Sequence, residues 1–318
     1  MKKSILIPII IGATCLTVGG TLFTIGVVHN TKTSNSNNNL ITNEYNINEF
    51  SNIDININTA NLEFKLSSNN ERKVVCKEIK DIKHTVEVKD NTLYISNKGK
   101  TSWYQNLFEF TNANMEVIVY VPSTSFDLAN INLTTGNIYI PNNYSFNNLS
   151  VEQTTGNIKV ESKVKEDINV KSTTGNLYFE TETKNINLKY TSGNINLKNT
   201  SCENLNINVT SGKTSLDEVK VSSKVNISST TGDIKIDNSQ VNDLIVKATT
   251  GDVSFNELSQ TSLIDIETTT GDVNLSLVSN RTFDVKTTTG DINTPNSVSG
   301  APTCKVRTTT GDVNIKIK

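Results

Sequence analysis

The sequence predicts an all-β fold: a flattened parallel β-solenoid of about 19–20 residues per coil, preceded by a single N-terminal transmembrane helix. Three observations carry this expectation. A Thr-(Thr/Ser)-Gly motif recurs ten times, with its glycine at 136, 156, 175, 193, 212, 232, 251, 271, 290 and 311, at spacings of 18–21 residues. Apolar and polar residues alternate on both sides of every glycine. One uncharged apolar run occupies Ile5 to Val28.

The alternation defines two strands per copy. Five residues before the glycine the chain is always aliphatic (Ile131, Val151, Val170, Leu188, Ile207, Ile227, Val246, Ile266, Val285, Val306). Seven before, it is again apolar, as at Leu149, Ile168, Leu244 and Phe283. Two and four after, apolar side chains return, as at Ile138 and Ile140, Ile234 and Ile236, Val273 and Leu275. Period-two alternation is the mark of half-buried strands. The parity switches at the glycine, which requires a tight corner there, and Gly supplies the backbone angles for it. An open meander of some twenty strands would leave one apolar face bare, and no amphipathic helix is available to cover it. Coiling each repeat so that its two strands pack face to face solves the problem, with a right-handed crossover. At about 4.8 Å per coil, ten coils form a rod on the order of 50 Å long.

In chain order, Met1-Lys2-Lys3 is a basic start. The apolar run that follows is long enough to span a bilayer, and the preceding lysines favour a cytoplasmic N-terminus. Residues 1–29 are therefore expected to be an uncleaved membrane anchor. A cleaved signal peptide is the competing reading, but Val27-Val28-His29-Asn30 is a poor cleavage site. A lipoprotein reading at Cys15 meets Thr14 where a small residue is needed. Residues 30–44, rich in Asn and Ser, are expected to be a flexible spacer. Residues 45–130 read as a divergent β-strand capping region, with alternation at Ile53, Ile55 and Ile57 and at Leu62, Phe64 and Leu66. Further strands are expected around Lys73–Cys76, Thr85–Val88, Leu93–Ile95 and Met115–Val121. Within this region Trp103, Tyr104, Leu107 and Phe108 have helical spacing. They suit a short plug over the open end of the stack, or an aromatic partner contact made by Trp103, Tyr104 and Phe108. Residues 131–318 hold the ten-copy solenoid.

Composition narrows the chemistry. A formal net charge of −2 gives no nucleic-acid footprint. Two histidines, His29 and His84, limit acid–base and metal chemistry, and no cofactor motif is present. The four cysteines lack zinc or CxxC spacing; Cys304 falls on the apolar position seven before Gly311 and reads as a small hydrophobe. Asp233, Asp252, Asp272, Asp291 and Asp312 follow their glycines and would stack along one edge. They are candidate metal ligands, against the plainer reading that each serves its own turn. The Thr triplets at 268–270, 287–289 and 308–310 suggest a flat hydroxyl array. The fifth copy departs from the pattern with Lys213 and Thr214 and is expected to be a weak point or kink. The last copy is expected to leave an open edge strand, blunted by Arg307, Lys316 and Lys318, where a partner or second copy adds a strand.

The combination of an N-terminal apolar segment, Phe50-x-x-Ile53-x-Ile55, Val119 to Pro122 and the Thr-Thr-Gly-Asp repeat resembles the bacterial DUF4097 β-strand-repeat proteins, also called toastrack or adhesin domains. The resemblance covers roughly residues 45–318. It implies an extracytoplasmic β-solenoid tied to Gram-positive cell-envelope stress systems, with no catalytic residue to carry over. The expectation is a single-pass membrane protein whose solenoid is a non-enzymatic, adhesin-like or envelope-stress interaction module for an envelope protein or glycan. The alternative is a secreted or surface carbohydrate-active β-helix.

Overall fold

A computed structural model of the protein describes residues 40–79, 83–97, 114–259 and 261–318. The expected N-terminal helix and the Trp103, Tyr104 and Phe108 stretch lie outside the described residues. No helix among the described residues is long and apolar enough to cross a membrane.

The described chain is all-β, with strands arranged in two sheets of 13 and 14 strands. Each Gly-centred copy gives one long strand to the first sheet and one short strand to the second, and equivalent strands of successive coils pair in parallel. Ser145–Thr155, for example, lies between Ser125–Thr135 and Lys163–Thr174, so Val151 faces Ile131 on one side and Val170 on the other. The inner faces meet in one apolar core of stacked columns. Leu149, Ile168, Ile186, Leu205, Val225, Leu244 and Ile264 form one such column, and Cys304 takes its place in it. Branched side chains suit this site because each packs on its own kind above and below.

The glycines form the tightest column. Their φ angles lie between +129° and +145°, a region that L side chains rarely adopt. A Cβ on any of them would strike the backbone of the preceding coil; on Gly193 it would strike the carbonyl oxygen of Gly175. The amide of every corner glycine except Gly290, on the outermost coil, donates to a carbonyl of the adjacent coil, as Gly175 to Ser192 O at 3.0 Å. The opposite, returning corner is built differently. Ser162, Thr181, Thr200 and Ser239 turn their hydroxyls inward onto corner carbonyls, for instance Ser162 Oγ to Pro141 O at 2.8 Å and Ser239 Oγ to Asp237 O at 2.6 Å.

The N-terminal end is closed by a reversal of strand direction. Strand β1 (Leu40–Asn46) begins inside the stretch read as spacer and pairs antiparallel with β4 (Lys73–Ile79). β2 (Asn52–Thr59) and β3 (Asn61–Leu66) form a regular coil. That coil stacks between β8 (Ser125–Thr135) and β9 (Ile138–Ile140) on one side and β6 (Thr92–Asn97) and β7 (Glu116–Val121) on the other. β4 pairs antiparallel with β7, and β5 (His84–Lys89) antiparallel with β6.

The C-terminal end corrects the expected open edge. The last copy is not outermost. Thr303–Thr310 pairs with both Leu263–Thr270 and Thr282–Thr289, and Val313–Ile317 pairs with both Val273–Leu277 and Ile292–Asn293. The coils therefore stack in the order Gly271, Gly311, Gly290. Ladder length accounts for this: Val313–Ile317 matches Val273–Leu277 over five residues, whereas the Gly290 copy offers only Ile292–Asn293. Arg307 holds the neighbouring coil through the Asp284 carboxylate, and Lys318 reaches two coils away to Glu257 at 2.7 Å. The loop after Asn293 folds back on the true edge, where Ser297 Oγ accepts from Phe283 N at 2.9 Å. The fifth copy keeps its register, with Thr214 between Ile195 and Ile234, although its buried Oγ1 has no partner among the described residues.

Glycine at the corner is demanded by contact as well as by φ, so two glycines should respond differently to a methyl group. Gly193→Ala should abolish cooperative folding or cost more than about 3 kcal/mol. Gly300→Ala, at φ +79° with nothing within 4 Å of the added carbon, should cost only about 1 kcal/mol. Equal losses in chemical denaturation would contradict the stacked-corner account.

Candidate functional site

The corner column explains the aspartates. Where the residue after a glycine is Asn or Asp and another coil follows, its side-chain oxygen points at the backbone amide of the equivalent residue in that coil. Asn137 Oδ1 accepts from Asn157 N at 2.9 Å, Asn157 from Asn176 at 2.9 Å, and Asn176 from Asn194 at 3.0 Å. Asp233 accepts from Asp252 at 3.1 Å, Asp252 from Asp272 at 2.8 Å, Asp272 from Asp312 at 2.8 Å, and Asp312 from Asp291 at 2.8 Å. Asn and Asp are interchangeable here because both offer the acceptor. Lys213 has none, and the ladder is interrupted there. The five aspartates do stack on one exposed edge, and the Oδ1 atoms of Asp233, Asp252, Asp272 and Asp312 are engaged in holding coils together, Asp291 being on the outermost coil. In the Thr triplets, Thr268 and Thr308 turn into the core. The exposed hydroxyl pair is instead the two residues directly before the glycine, in every copy.

The returning corner carries a different surface. The strand register shifts between Phe146 and Asn148, between Cys202 and Asn204, and between Val221 and Lys224. Such bulges bend the strand locally. Beside them runs a furrow that crosses successive coils at Ser125, Ser145, Lys163, Glu182, Ser201, Lys220 and Gln240. Those rungs span on the order of 30 Å. Its deepest stretches enclose about 460 and 620 Å³. The lining mixes both charges with hydroxyls and amides: Lys163 pairs with Glu182 at 2.8 Å, and Lys184 with Glu166 at 3.3 Å.

The rim of this furrow holds unusual backbone. Asn199, Glu218 and Asn238 all have positive φ, at 45°, 55° and 49°. Asparagine tolerates that conformation; glutamate does so at a cost. Asn199 Nδ2 bonds Glu180 at 3.0 Å and Asn238 Nδ2 bonds Asp217 at 3.3 Å. Glu218 is exposed and lines an adjoining hollow that shares Ser201, Lys220 and Gln240 with the furrow. Glu257 repeats the conformation at φ 57°, so the left-handed turn belongs to this corner, and Glu218 is an exposed carboxylate that it presents.

A second feature lies on the outer face of the short-strand sheet. Tyr139, Lys159 and Tyr178 occupy one register line on three adjacent strands. Lys159 Nζ sits 5.0 Å from the Tyr139 ring and 5.5 Å from the Tyr178 ring. Tyr139 Oη donates to Glu161 at 3.0 Å and Tyr178 Oη to Glu180 at 3.1 Å. The Lys159 ammonium, followed by the Tyr139 hydroxyl, holds the Glu161 carboxyl below its usual pKa. The sequence signal for this patch is an aromatic at the outward position three residues after the glycine. The furrow has no comparable signal, since it depends on bulges that repeat counting hides.

The family profile described as Toastrack DUF4097 matches residues 50–179 and 158–316. No curated protein matches the chain. Among solved structures, the chain is similar in fold to a "putative lipid binding protein" from Parabacteroides distasonis ATCC 8503, at 16% identity, over 75% of this chain and 97% of that one, with a TM-score of 0.51. A "putative adhesin" from Bacteroides fragilis NCTC 9343 aligns at 18% identity over 75% of this chain and 97% of its own, with a TM-score of 0.45.

The aspartate ladder makes a clear demand. Asp272→Asn keeps the acceptor and removes like-charge repulsion, so stability should hold or rise by a few tenths of a kcal/mol at low salt. Asp272→Ala strands the Asp312 amide and should cost about 1 kcal/mol. Millimolar calcium should leave the melting temperature of the parent chain unchanged; a calcium-dependent rise lost in Asp272→Asn would restore the metal reading.

Proposed function

The chain belongs to the Toastrack DUF4097 family, and from that premise we propose that it is a non-enzymatic, adhesin-like binding module that receives an extended polar polymer, a cell-envelope glycan, along the furrow of its returning corner. The observation that carries this reading is Glu218, an exposed carboxylate held in left-handed backbone in the hollow that joins the furrow at Lys220 and Gln240. A polyhydroxylated chain presents alternating donors and acceptors, and the lysine, carboxylate, hydroxyl and amide groups along the furrow match that pattern. The solenoid repeats its groups at about 4.8 Å intervals, which favours a ligand that is itself a repeating chain. The relative named for lipid binding offers another ligand class; the charged furrow lining argues for a polar one. The lysines ahead of the Ile5–Val28 run support display on the outer side of a single-pass anchor, and the family resemblance supports a role in envelope-stress systems of a Gram-positive cell.

Binding of the purified chain to isolated wall polysaccharide tests the furrow. Glu218→Asn should stabilise the fold by roughly 1 kcal/mol, because Asn adopts the left-handed region more readily. The same change, and Lys220→Ala, should weaken glycan binding about tenfold or more. Unchanged binding in both variants would remove the furrow as the site. Shortening of the polysaccharide by the parent chain would favour the carbohydrate-active alternative.

Protease added to intact cells tests the placement. The solenoid should be cut from outside while a short membrane-bound fragment survives. Protection of the solenoid until the cells are broken would contradict outward display.

A further inference from the structure

The core is mainly apolar along its length, and beneath β1 it ends in a cluster of chemistry-bearing side chains. There the inner face of β4 carries Val74, Cys76 and Glu78 in alternation, and His84 opens β5 on the other sheet. All three chemistry-bearing side chains are buried: Cys76 and Glu78 are 0% exposed and His84 is 2% exposed. One ligand atom from each lies within 4.8 Å of the other two. Glu78 Oε2 lies 2.7 Å from His84 Nδ1 and accepts the His84 amide at 2.6 Å. Asn43 Nδ2 donates to Glu78 Oε1 at 2.5 Å, and so fixes the carboxylate from the β1 side. His84 Nε2 is buried with no partner among the described residues.

Apolar side chains would close this end of the core at lower cost. A carboxylate and an imidazole taken out of water destabilise unless their polar atoms are all engaged, and one nitrogen here is not. Thiol, imidazole and carboxylate are instead the donor set of a borderline-soft divalent ion. Tetrahedral zinc places such atoms about 3.3–3.6 Å apart; here Glu78 Oε2 and His84 Nδ1 are 2.7 Å apart and all three ligand atoms lie within 4.8 Å, so an ion would enter by opening the Glu78–His84 hydrogen bond. The other buried cysteines provide the contrast. Cys202 and Cys304 pack among aliphatic residues with no histidine or carboxylate gathered around them among the described residues.

We propose that Cys76, Glu78 and His84 form a binding site for a zinc-class divalent metal ion, with a fourth position left for water. The ion links the 14-stranded sheet to the 13-stranded sheet where parallel stacking stops. Asn43 acts as a positioning residue that orients Glu78. The spacing, Cys-x-Glu followed six residues later by His, matches no zinc motif. Only the alternation of β4 and the apposition of β5 bring the three together.

Cobalt(II) titration of the reduced full-length chain tests the proposal. One equivalent should produce a thiolate-to-cobalt band in the near ultraviolet together with intense visible bands of tetrahedral cobalt, and zinc should displace both. The bands should disappear in Cys76→Ser and His84→Ala and persist in Cys15→Ser, Cys202→Ser and Cys304→Ser. Asn43→Ala, which keeps all three ligands, should weaken binding about tenfold or more and so tests the site even if a ligand variant folds poorly. Zinc should raise the melting temperature of the parent chain and not of Cys76→Ser. Absence of the bands in the parent chain, or their survival in Cys76→Ser, would overturn the proposal.

Discussion

Backbone-on-backbone contact at the glycine corner is the constraint from which the rest of the structure follows. Each glycine lies against the carbonyl of the coil before it, at a φ that excludes side chains. One edge of the solenoid therefore cannot vary. The adjacent Asn or Asp completes the clamp by accepting the next coil's amide. Variation in coil length, from 18 to 21 residues between glycines, is displaced to the returning corner. That corner holds the bulges, the left-handed Asn199, Glu218 and Asn238, and the polar furrow. Fold and recognition are thus divided between the two edges of the same coil.

Polar groups close both ends of the aliphatic core. At the N-terminal end Glu78 and His84 bond each other and Cys76 stands beside them. At the other end Arg281 is buried, donating to the carbonyl and hydroxyl of Thr261 and to Ser279 Oγ. Burial lowers the pKa of its guanidinium, and its own carbonyl accepts the amide of Val298 from the folded-back loop. Between these ends Cys202 and Cys304 pack as small hydrophobes, and burial pushes their thiols, like that of Cys76, up to about 12.

The coils were legible in the sequence because each is specified by local alternation and a recurrent turn. Ile131, Val151 and their equivalents sit in the core as their period requires. The aspartates were legible as a row, and the structure supplies their partners. Three features escaped. The order of the last coils depends on ladder length, which the motif does not reveal. The furrow arises from bulges at Phe146, Cys202 and Val221, positions without a residue signature. The Cys76, Glu78 and His84 cluster joins strands of different sheets, and their proximity is a property of the cap alone.

The exchange of the last two coils is the sharpest consequence of stacking coils by the length of their ladders, and disulfide mapping measures it. Asn314 faces Asn274 on one side and Asn293 on the other. Cysteines placed at 274 and 314 should form a disulfide readily under mild oxidation. Cysteines at 274 and 293, two strands apart at about 9.6 Å, should not. Efficient formation of the 274–293 bridge without the 274–314 bridge would mean that the coils stack in chain order, and would contradict the account.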